Sequence, residues 1–376
     1  MDKKRVPLGN YVTEYSVRNK SDEDIPVYSV TNSQGFCTEY FDKEVASKDK
    51  KTYKIVPRGY FAYNPSRINV GSVDWQRCED RVIVSPLYNV FYVSEEMDQQ
   101  YLYYFLRSDI GRQMIKAKAS GSVRDNLKMD MLKEMTIPYK TFEEQKKCVA
   151  TLDELQKIIA LRGKEIEKLD ELIKARFVEL FDDEIKCSDM TIADVADEAT
   201  VGIANSATHA YSESGVVMLR NQNIRVNYLD DRDLIYITQD FADQYPNKAL
   251  QENDILITRT GANVGMACIV PKKYAGCQTF TTLILRLKKD INISPIFVCH
   301  YINSPIGKAF VDENKIGGGQ PNFGAKQLAA MPIVIPTERK QIEFENLVKQ
   351  VDKSKFININ IIPEGGFYNG DKFYIS

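Results

Sequence analysis

The sequence predicts a mixed α/β protein: two repeated domains joined by a long helix of the coiled-coil type, with a second such helix that is cut short. Three observations support this fold class. One segment of the chain occurs twice, the region after its first copy carries a heptad pattern, and each copy contains strand-like runs followed by a helical pattern.

The repeat is the strongest of these observations. Residues 101–155 reappear, without gaps, 196 positions later, and residues 67–71 resemble residues 261–265. Repeats in solenoid proteins run to about 50 residues, so a period this long indicates two copies of a whole domain. The identical pairs include Ser108/Ser304, Ile110/Ile306, Gly111/Gly307, Gly121/Gly317, Asn126/Asn322, Leu132/Leu328, Met135/Met331, Ile137/Ile333, Thr141/Thr337 and Gln145/Gln341.

The composition is that of an ordinary globular protein of two to three domains, since the chain has 376 residues, 43% hydrophobic and 27% charged. No apolar run is long enough for a membrane-spanning helix, and the N-terminus has no apolar segment typical of a secretory signal. Seven scattered cysteines form no CxxC pair, so neither a zinc site nor a disulfide framework is indicated. We expect a cytoplasmic protein.

Charge excludes a uniformly basic DNA-binding surface, because the whole chain has a net charge of −2. Residues 1–147 carry 24 Lys and Arg against 21 Asp and Glu, a net charge of +3. Residues 148–190 carry 7 against 11, a net charge of −4. Any contact with DNA must therefore come from local patches.

Four segments follow from these patterns: a first repeated domain at residues 1–147, a spacer helix at 148–182, a second domain at 183–341, and a short second spacer helix with a divergent tail at 342–376. The spacer helix is predicted from apolar steps of three and four, with Arg162 and Arg176 at two of the steps. An ordinary amphipathic helix on a globular core is the alternative. The candidate partner or helix interface consists of Leu155, Ile159, Ile166, Leu169, Ile173 and Leu180.

Within the copies, the pattern predicts strands at residues 53–56, 60–63 and 254–258, and one helix in each copy at 100–118 and 296–313. Each of these helices ends in a glycine-containing loop, and a short helix and an Ile-Pro strand lead to the next long helix. The second spacer helix begins correctly, but residues 357–363 alternate as in a strand.

No catalytic or metal-binding motif is present. The two histidines, His209 and His300, have no matching partners, and no nucleophile elbow, phosphate-binding loop or zinc-protease motif occurs. Residues 63–66 approach the Asn-Pro-Pro-aromatic loop of amino-methyltransferases, but counted from Asn64 the third residue is Ser66 and the fourth is Arg67. No glycine-rich cofactor loop precedes them. We therefore predict no catalytic residue and no metal site in this chain.

Two pairs of polar loops, at equivalent places in the two copies, are candidates for contact with DNA. Arginine pairs with guanine, asparagine pairs with adenine, and serine or threonine can serve either. Ordinary polar turns are the alternative. The candidate DNA-binding residues are Asn64, Ser66, Arg67, Asn69, Ser72, Arg124, Lys128, Arg259, Thr260, Asn263, Gln320 and Asn322.

These loops carry a family resemblance. The segments at 63–72 and 259–265, the helix and loop before Ile137-Pro138, and the residues 142–146 that open the long helix together resemble the specificity subunit of type I restriction-modification systems, over roughly residues 5–355. The resemblance implies two target-recognition domains, each contacting half of a split double-stranded DNA sequence. It also implies helical spacers that dock two modification subunits. S-adenosylmethionine would be bound by those subunits, and ATP and Mg²⁺ by partner subunits that include a motor-nuclease restriction subunit, with no cofactor bound by this chain.

One departure from that family is the short second helix. It raises the alternative of a truncated or recombined specificity subunit with impaired assembly. It also predicts that the part of the apolar helix face around Ile173 and Leu180 depends on the methyltransferase partners for its burial. Two other function classes remain: a coiled-coil scaffold that binds proteins, and a single-chain methyltransferase fused to its specificity domains.

Overall fold

The computed structural model describes residues 4–38, 50–119, 126–204, 207–317, 321–360, 366–369 and 372–375. The chain divides into two compact units, the first comprising Met1–Lys164 with Asn360–Ser376 and the second Glu165–Ile359. Each unit has hydrophobic clusters of its own, the largest lying entirely within residues 6–137 in the first unit and within residues 169–351 in the second. Both units mix helices and strands, which confirms the predicted fold class.

The strands before the long helix are β1 Arg5–Pro7, β2 Val12–Glu14, β3 Ser29–Thr31, β4 Gly35–Cys37, β5 Lys54–Pro57, β6 Phe61–Tyr63, β7 Val73–Trp75, β8 Arg81–Val84, β9 Asn89–Val93 and β10 Thr136–Pro138. The strands after it are β11 Ala196–Val201, β12 Tyr211–Ser212, β13 Val216–Leu219, β14 Ile224–Arg225, β15 Tyr228–Leu229, β16 Ile235–Ile237, β17 Ile255–Ile257, β18 Ala267–Ile269, β19 Gln278–Thr279, β20 Leu283–Leu287, β21 Gly366–Asn369 and β22 Lys372–Ile375. The helices are α1 Gln99–Arg107, α2 Asp109–Ala119, α3 Met129–Lys133, α4 Phe142–Lys186, α5 Ile192–Val195, α6 Gln239–Ala242, α7 Pro295–Asn303, α8 Pro305–Asn314, α9 Ala325–Ala329 and α10 Glu338–Asn360.

The same four-stranded antiparallel sheet forms the framework of both units. Its strand order is β2-β9-β6-β7 in the first unit and β11-β20-β17-β18 in the second. The registers agree, because Phe61 pairs with Phe91 and Trp75, while Ile255 pairs with Leu285 and Ile269. The predicted strands at 53–56, 60–63 and 254–258 correspond, within a residue or two, to β5, β6 and β17.

The single helix predicted in each copy is wrong in one respect, because each is broken at a serine. Ser108 separates α1 from α2, and Ser304 separates α7 from α8. In both copies the serine hydroxyl accepts a hydrogen bond from the glycine N–H three residues later, at 3.1 Å for Gly111 and 3.2 Å for Gly307. These bonds begin a new helix, as expected of a serine N-cap.

A glycine is required after each of these serines, because the new helix starts in close contact with the one before it. A Cβ at Gly111 would lie 2.0 Å from the carbonyl oxygen of Phe105, and one at Gly307 would lie 2.3 Å from that of Tyr301. The identity of this Ser-Gly pair in the two copies therefore has a packing cause.

A buried glutamine connects the long helix that follows to the rest of its unit. Gln145 accepts a hydrogen bond from the Asp98 N–H at 2.9 Å and donates to the carbonyls of Glu96 and Lys140. Gln341 makes the same three contacts, with Ser294, Asn292 and Pro336. Both side chains lie almost fully inside the protein, at 2% and 5% exposure. The repeat thus preserves a specific hydrogen-bond network as well as a pattern of residues.

The central helix α4 has 45 residues, ten more than the spacer helix predicted at residues 148–182, and Gly163 does not interrupt it. In the second unit its buried face consists of Ile173, Phe177, Phe181 and Ile185, each four residues from the last. The heptad interpretation identified Ile173 but placed Arg176 and Leu180 where Phe177 and Phe181 are buried. Arg176 is only partly buried and forms ion pairs with Glu179 and Glu343.

The short second helix α10 has 23 residues, about half as many as α4. The predicted strand at 357–363 is wrong where it is described, because residues 357–360 continue the helix. Phe344, Val348 and Val351 of α10 are buried in the cluster that contains Phe177 and Phe181 of α4. The expectation that Ile173 needs a partner subunit is likewise wrong, because Ile173 is 4% exposed within this chain alone.

Candidate nucleic-acid interface

Equivalent loops follow strands β6 and β17, and each is closed by the same backbone hydrogen bond. The N–H of Asn64 donates to the carbonyl of Ser72 at 3.1 Å, and that of Thr258 donates to Met266 at 2.8 Å. Gly71 and Gly265 then turn the chain with φ of +95° and +86°, a conformation that favours glycine. The two polar loops predicted from the sequence therefore have similar backbone structures, each closed by a hydrogen bond between its ends.

A second loop lies against each of these turns. The N–H of Leu127 donates to the carbonyl of Pro65 at 3.0 Å, and the N–H of Phe323 donates to that of Arg259 at 2.9 Å. Leu127 and Phe323 are 196 residues apart, as the repeat requires. Each unit therefore joins two polar loops that are 60 or more residues apart in sequence into one surface.

In the first unit, Asn64 shapes this surface and its neighbours are exposed. The Asn64 carbonyl oxygen Oδ1 accepts hydrogen bonds from the Ser66 N–H at 3.1 Å and the Ser66 hydroxyl at 2.9 Å. Ser66 and Arg67 are exposed, and Asn69 is half-buried. Ser72 differs from the others, because it is 3% exposed and its hydroxyl donates to the Val30 carbonyl. This buried contact assigns Ser72 a structural role.

The second loop of the first unit contributes Lys128, which is exposed at the start of α3. Arg124 lies outside the described residues. Below the surface, Tyr63 is fully buried; its hydroxyl donates to the Leu127 carbonyl at 3.1 Å and accepts from Asn89 at 2.9 Å. Burial raises the pKa of Tyr63, so this phenol remains protonated and continues to donate.

In the second unit, Arg259 is held by the second loop. Its Nε donates to Oδ1 of Asn322 at 3.0 Å, and within the described part of the chain its two terminal nitrogens make no hydrogen bond. Those two nitrogens are the pair that an arginine presents to O6 and N7 of guanine. Asn322 thus positions Arg259, while Gln320 lies outside the described residues.

The other candidates of the second unit lie beside Arg259. Thr260 is half-buried and its hydroxyl accepts a hydrogen bond of 3.4 Å from Asn221, while Asn263 is exposed. Ser66 corresponds to Thr260 and Asn69 to Asn263, so these polar positions agree between the copies. Arg67 and Arg259 do not correspond, because they lie two positions apart in the aligned loops. The two surfaces therefore share a framework and differ in the placement of their arginines.

Arg107 and Asn303, which occupy equivalent positions at the end of α1 and α7, were not among the residues predicted from the sequence. Arg107 donates through Nη2 to the Asn32 carbonyl at 2.7 Å, and Asn303 donates to Oδ1 of Asn227 at 2.7 Å. Both acceptors lie in the turn of a small hairpin. The signal available in the sequence was a polar residue at the same repeat position in both copies.

The described residues contain no group of three or more His, Cys, Asp or Glu side chains arranged to hold a metal ion. Within the same part of the chain, every helix is too short or too polar to span a lipid bilayer. His300 lies in the core of the second unit, with its ring 5.3 Å from that of Phe344. Burial, aided by the charge of Lys355, lowers its pKa to about 4.

Known proteins with the same organisation identify the family. The family model described as the type I restriction modification DNA specificity domain matches residues 9–171 and again residues 187–364. Over 276 residues the chain is 21% identical to the specificity subunit of the type I restriction enzyme MjaVIII of Methanocaldococcus jannaschii, a match that spans 68% of this chain but only 64% of that relative.

The fold is also found in a solved structure from work on the complex assembly and conformational transition of the type I R-M system. That chain has a TM-score of 0.59 and 16% identity, and the match covers 96% of this chain and 94% of the other. The chain thus belongs to the family of type I restriction modification DNA specificity domains, and it carries that domain twice.

Proposed function

We propose that this chain is the subunit of a type I restriction-modification complex that determines its DNA sequence specificity. Each unit contacts one half of a bipartite double-stranded DNA target through its pair of joined loops. The observation that carries the proposal is the occurrence of one loop framework twice, with Ser66 and Asn69 matched by Thr260 and Asn263 but with differently placed arginines. A shared framework with different side chains suits two half-sites of different sequence.

The chain itself performs no chemistry in this proposal. Methyl transfer belongs to two modification subunits bound to the chain, which hold S-adenosylmethionine, and cleavage belongs to a restriction subunit that uses ATP and Mg²⁺. Helix α4 supports a docking role, because four of its apolar residues have exposed fractions of 41–65%: Leu155, Ile158, Leu161 and Leu172. Exposed apolar side chains grouped on one helix are typical of protein interfaces.

The net charge of −4 over residues 148–190 supports the same division of roles, because an acidic helix disfavours contact with phosphates. In this proposal α4 binds protein subunits, and the loops of the two units bind DNA.

The test is selection of DNA from a random double-stranded library by the chain copurified with the methyltransferase subunit of the proposed complex. We expect two constant blocks separated by a spacer of fixed length, and methylome sequencing should show the same motif only in cells that carry this gene. A single block, or no motif, would contradict the proposal.

Single substitutions then assign each unit to its block. Arg259→Ala should relax one position of one block, at a cost of about 1–3 kcal/mol in discrimination, and Arg67→Ala should act on the other block. Arg339→Ala, which removes an exposed arginine of α10, is the matched control and should leave both blocks unchanged. A uniform loss of affinity across sequences would reassign Arg67 or Arg259 to a phosphate contact.

A further inference from the structure

Two hydrogen bonds fix the β3–β4 hairpin of the first unit to the end of the proposed DNA-binding loop and to the strand after it. The Ser72 hydroxyl, at the end of that loop, donates to the carbonyl of Val30 in β3. The carboxylate of Asp74 in β7 accepts a hydrogen bond of 3.2 Å from the Phe36 N–H in β4. Gly35, with φ of +67°, leaves space for this carboxylate, since a Cβ there would lie 2.0 Å from Asp74 Oδ2. The hairpin therefore packs on β7, the strand that follows the loop.

Arg107 joins the turn of the hairpin to the loop directly. Its Nη2 donates to the Asn32 carbonyl at 2.7 Å, and its Nη1 donates to the Tyr103 hydroxyl at 2.9 Å. A Cβ built on Gly71 would lie 3.9 Å from the same guanidinium. The Arg107 side chain thus binds the hairpin turn and lies close to the glycine of the loop, so the turn and the loop are neighbours.

The turn presents polar side chains on this fixed base. Asn32, Ser33 and Gln34 are exposed, whereas Gly35 and Phe36 are buried. The backbone N–H of Gln34 donates to Oγ1 of Thr31 at 3.0 Å, which fixes the position from which the side chain projects. Within the described part of the chain, the Gln34 side-chain amide makes no hydrogen bond.

The second unit carries a different hairpin at the equivalent position of its sheet. Asn303, which corresponds to Arg107, donates to Asn227 in the turn between β14 and β15, and both of these strands contact β18. Strands β3 and β4 contact β7, the counterpart of β18 in the repeated sheet. The two units therefore hold dissimilar hairpins at equivalent positions. This is expected if each hairpin contacts a different half-site sequence, whereas a purely structural element has no reason to differ between the units.

We propose that the β3–β4 hairpin is a second base-contacting element of the first unit, and that the Gln34 amide forms a bidentate hydrogen bond with an adenine of the half-site bound by the 64–72 loop. Glutamine has the donor and acceptor that match N7 and N6 of adenine in the major groove. This inference rests on the proposed function, because it adds one contact to the same DNA half-site.

The experiment repeats the selection from a random double-stranded library with Gln34→Ala, in the chain copurified with its methyltransferase subunit. We expect the variant to select the same two blocks, with a preference for adenine lost at one position of the block that Arg67→Ala also affects. The loss should be about 5- to 150-fold at that position, as for other bidentate contacts. Gln34→Glu, which lacks the amide donor, should lose the adenine preference as well.

Gln350→Ala is the matched control, since it removes an exposed glutamine from α10 in the other unit, and it should select the wild-type motif. The unchanged positions of the same block report that the variant is folded. If Gln34→Ala selects the wild-type motif, or weakens all sequences equally, the hairpin inference is wrong while the proposed function stands. If the wild-type chain itself selects no bipartite motif, the proposed function fails first.

Discussion

Replacement of Gln145 by alanine is expected to destabilise the first unit selectively. The side chain is 2% exposed and forms three hydrogen bonds, with the N–H of Asp98 and the carbonyls of Glu96 and Lys140. Asp98 is the N-cap of α1, and its carboxylate accepts a hydrogen bond from Tyr101. The glutamine therefore holds the start of α1 and the start of α4 in one arrangement.

The magnitude follows from the groups left without a partner. Gln145→Ala removes the partner from one N–H and two carbonyls in three part-buried hydrogen bonds. Each such loss costs about 1–3 kcal/mol, at the lower end where water can reach the group. Since a carbonyl tolerates the loss better than an N–H, we expect a total of about 2–4 kcal/mol. With a urea m-value of about 2 kcal/mol/M, in the middle of the usual range, the unfolding midpoint of the unit should fall by about 1–2 M.

The chain supplies its own probe for the assay. Trp75 is its single tryptophan and belongs to the first unit, where its indole N–H donates to Gln100 at 3.1 Å. Its fluorescence during urea titration therefore follows the unfolding of that unit, while far-UV circular dichroism follows both. Gln341→Ala is the matched control, because it removes the equivalent three hydrogen bonds from the second unit.

We expect Gln145→Ala to shift the fluorescence transition, which reports the first unit. Gln341→Ala should leave the fluorescence transition unchanged and shift only the part of the circular dichroism transition that comes from the second unit. Equal effects of the two variants on the Trp75 signal would refute the assignment of each glutamine to one unit. A shift below about 0.5 kcal/mol for Gln145→Ala, the size of an ordinary surface substitution, would refute the hydrogen-bond argument itself.

Two further predictions concern the core of the second unit. The centroid of the Phe177 ring lies 5.1–5.6 Å from those of three other phenylalanine rings. Phe177→Ala should therefore cost about 3–5 kcal/mol in urea unfolding, while Leu172→Ala, on the exposed side of α4, should change little. Burial lowers the pKa of His300 to about 4, so between pH 6.5 and 4 the unfolded chain binds a proton that the folded chain does not. Stability should therefore fall as pH falls through this window, and an unchanged pH profile in His300→Phe would contradict this.

Some features could be identified from the sequence alone, because they depend on residues that are neighbours in the sequence or on the repeat itself. The gap-free match of two 55-residue segments determines a duplicated domain, and the same match identifies Gln145 with Gln341 and Ser108 with Ser304. It also located the two polar loops, because a glycine that must adopt positive φ, such as Gly71 or Gly265, is visible as a residue type.

Other features depended on tertiary contacts between distant segments. The heptad pattern of α4 allowed several apolar faces, and burial of Phe177 and Phe181 rather than Leu180 was decided by the positions of Phe297 and Phe344, more than 110 residues away. Residues 357–360 alternate like a strand but continue α10, a local preference that the rest of the helix overrides.

The candidate site shows the same division. The sequence indicated which loops are polar and predicted both Ser72 and Arg259 as DNA contacts. Only packing shows that Ser72 is buried against Val30 and that Arg259 is held by Asn322. The contact of Arg107 with the β3–β4 hairpin joins residues 75 positions apart. Such contacts arise from the three-dimensional path of the chain, which the order of residue types near Arg107 does not encode locally, and this is why the hairpin became visible only in the tertiary structure.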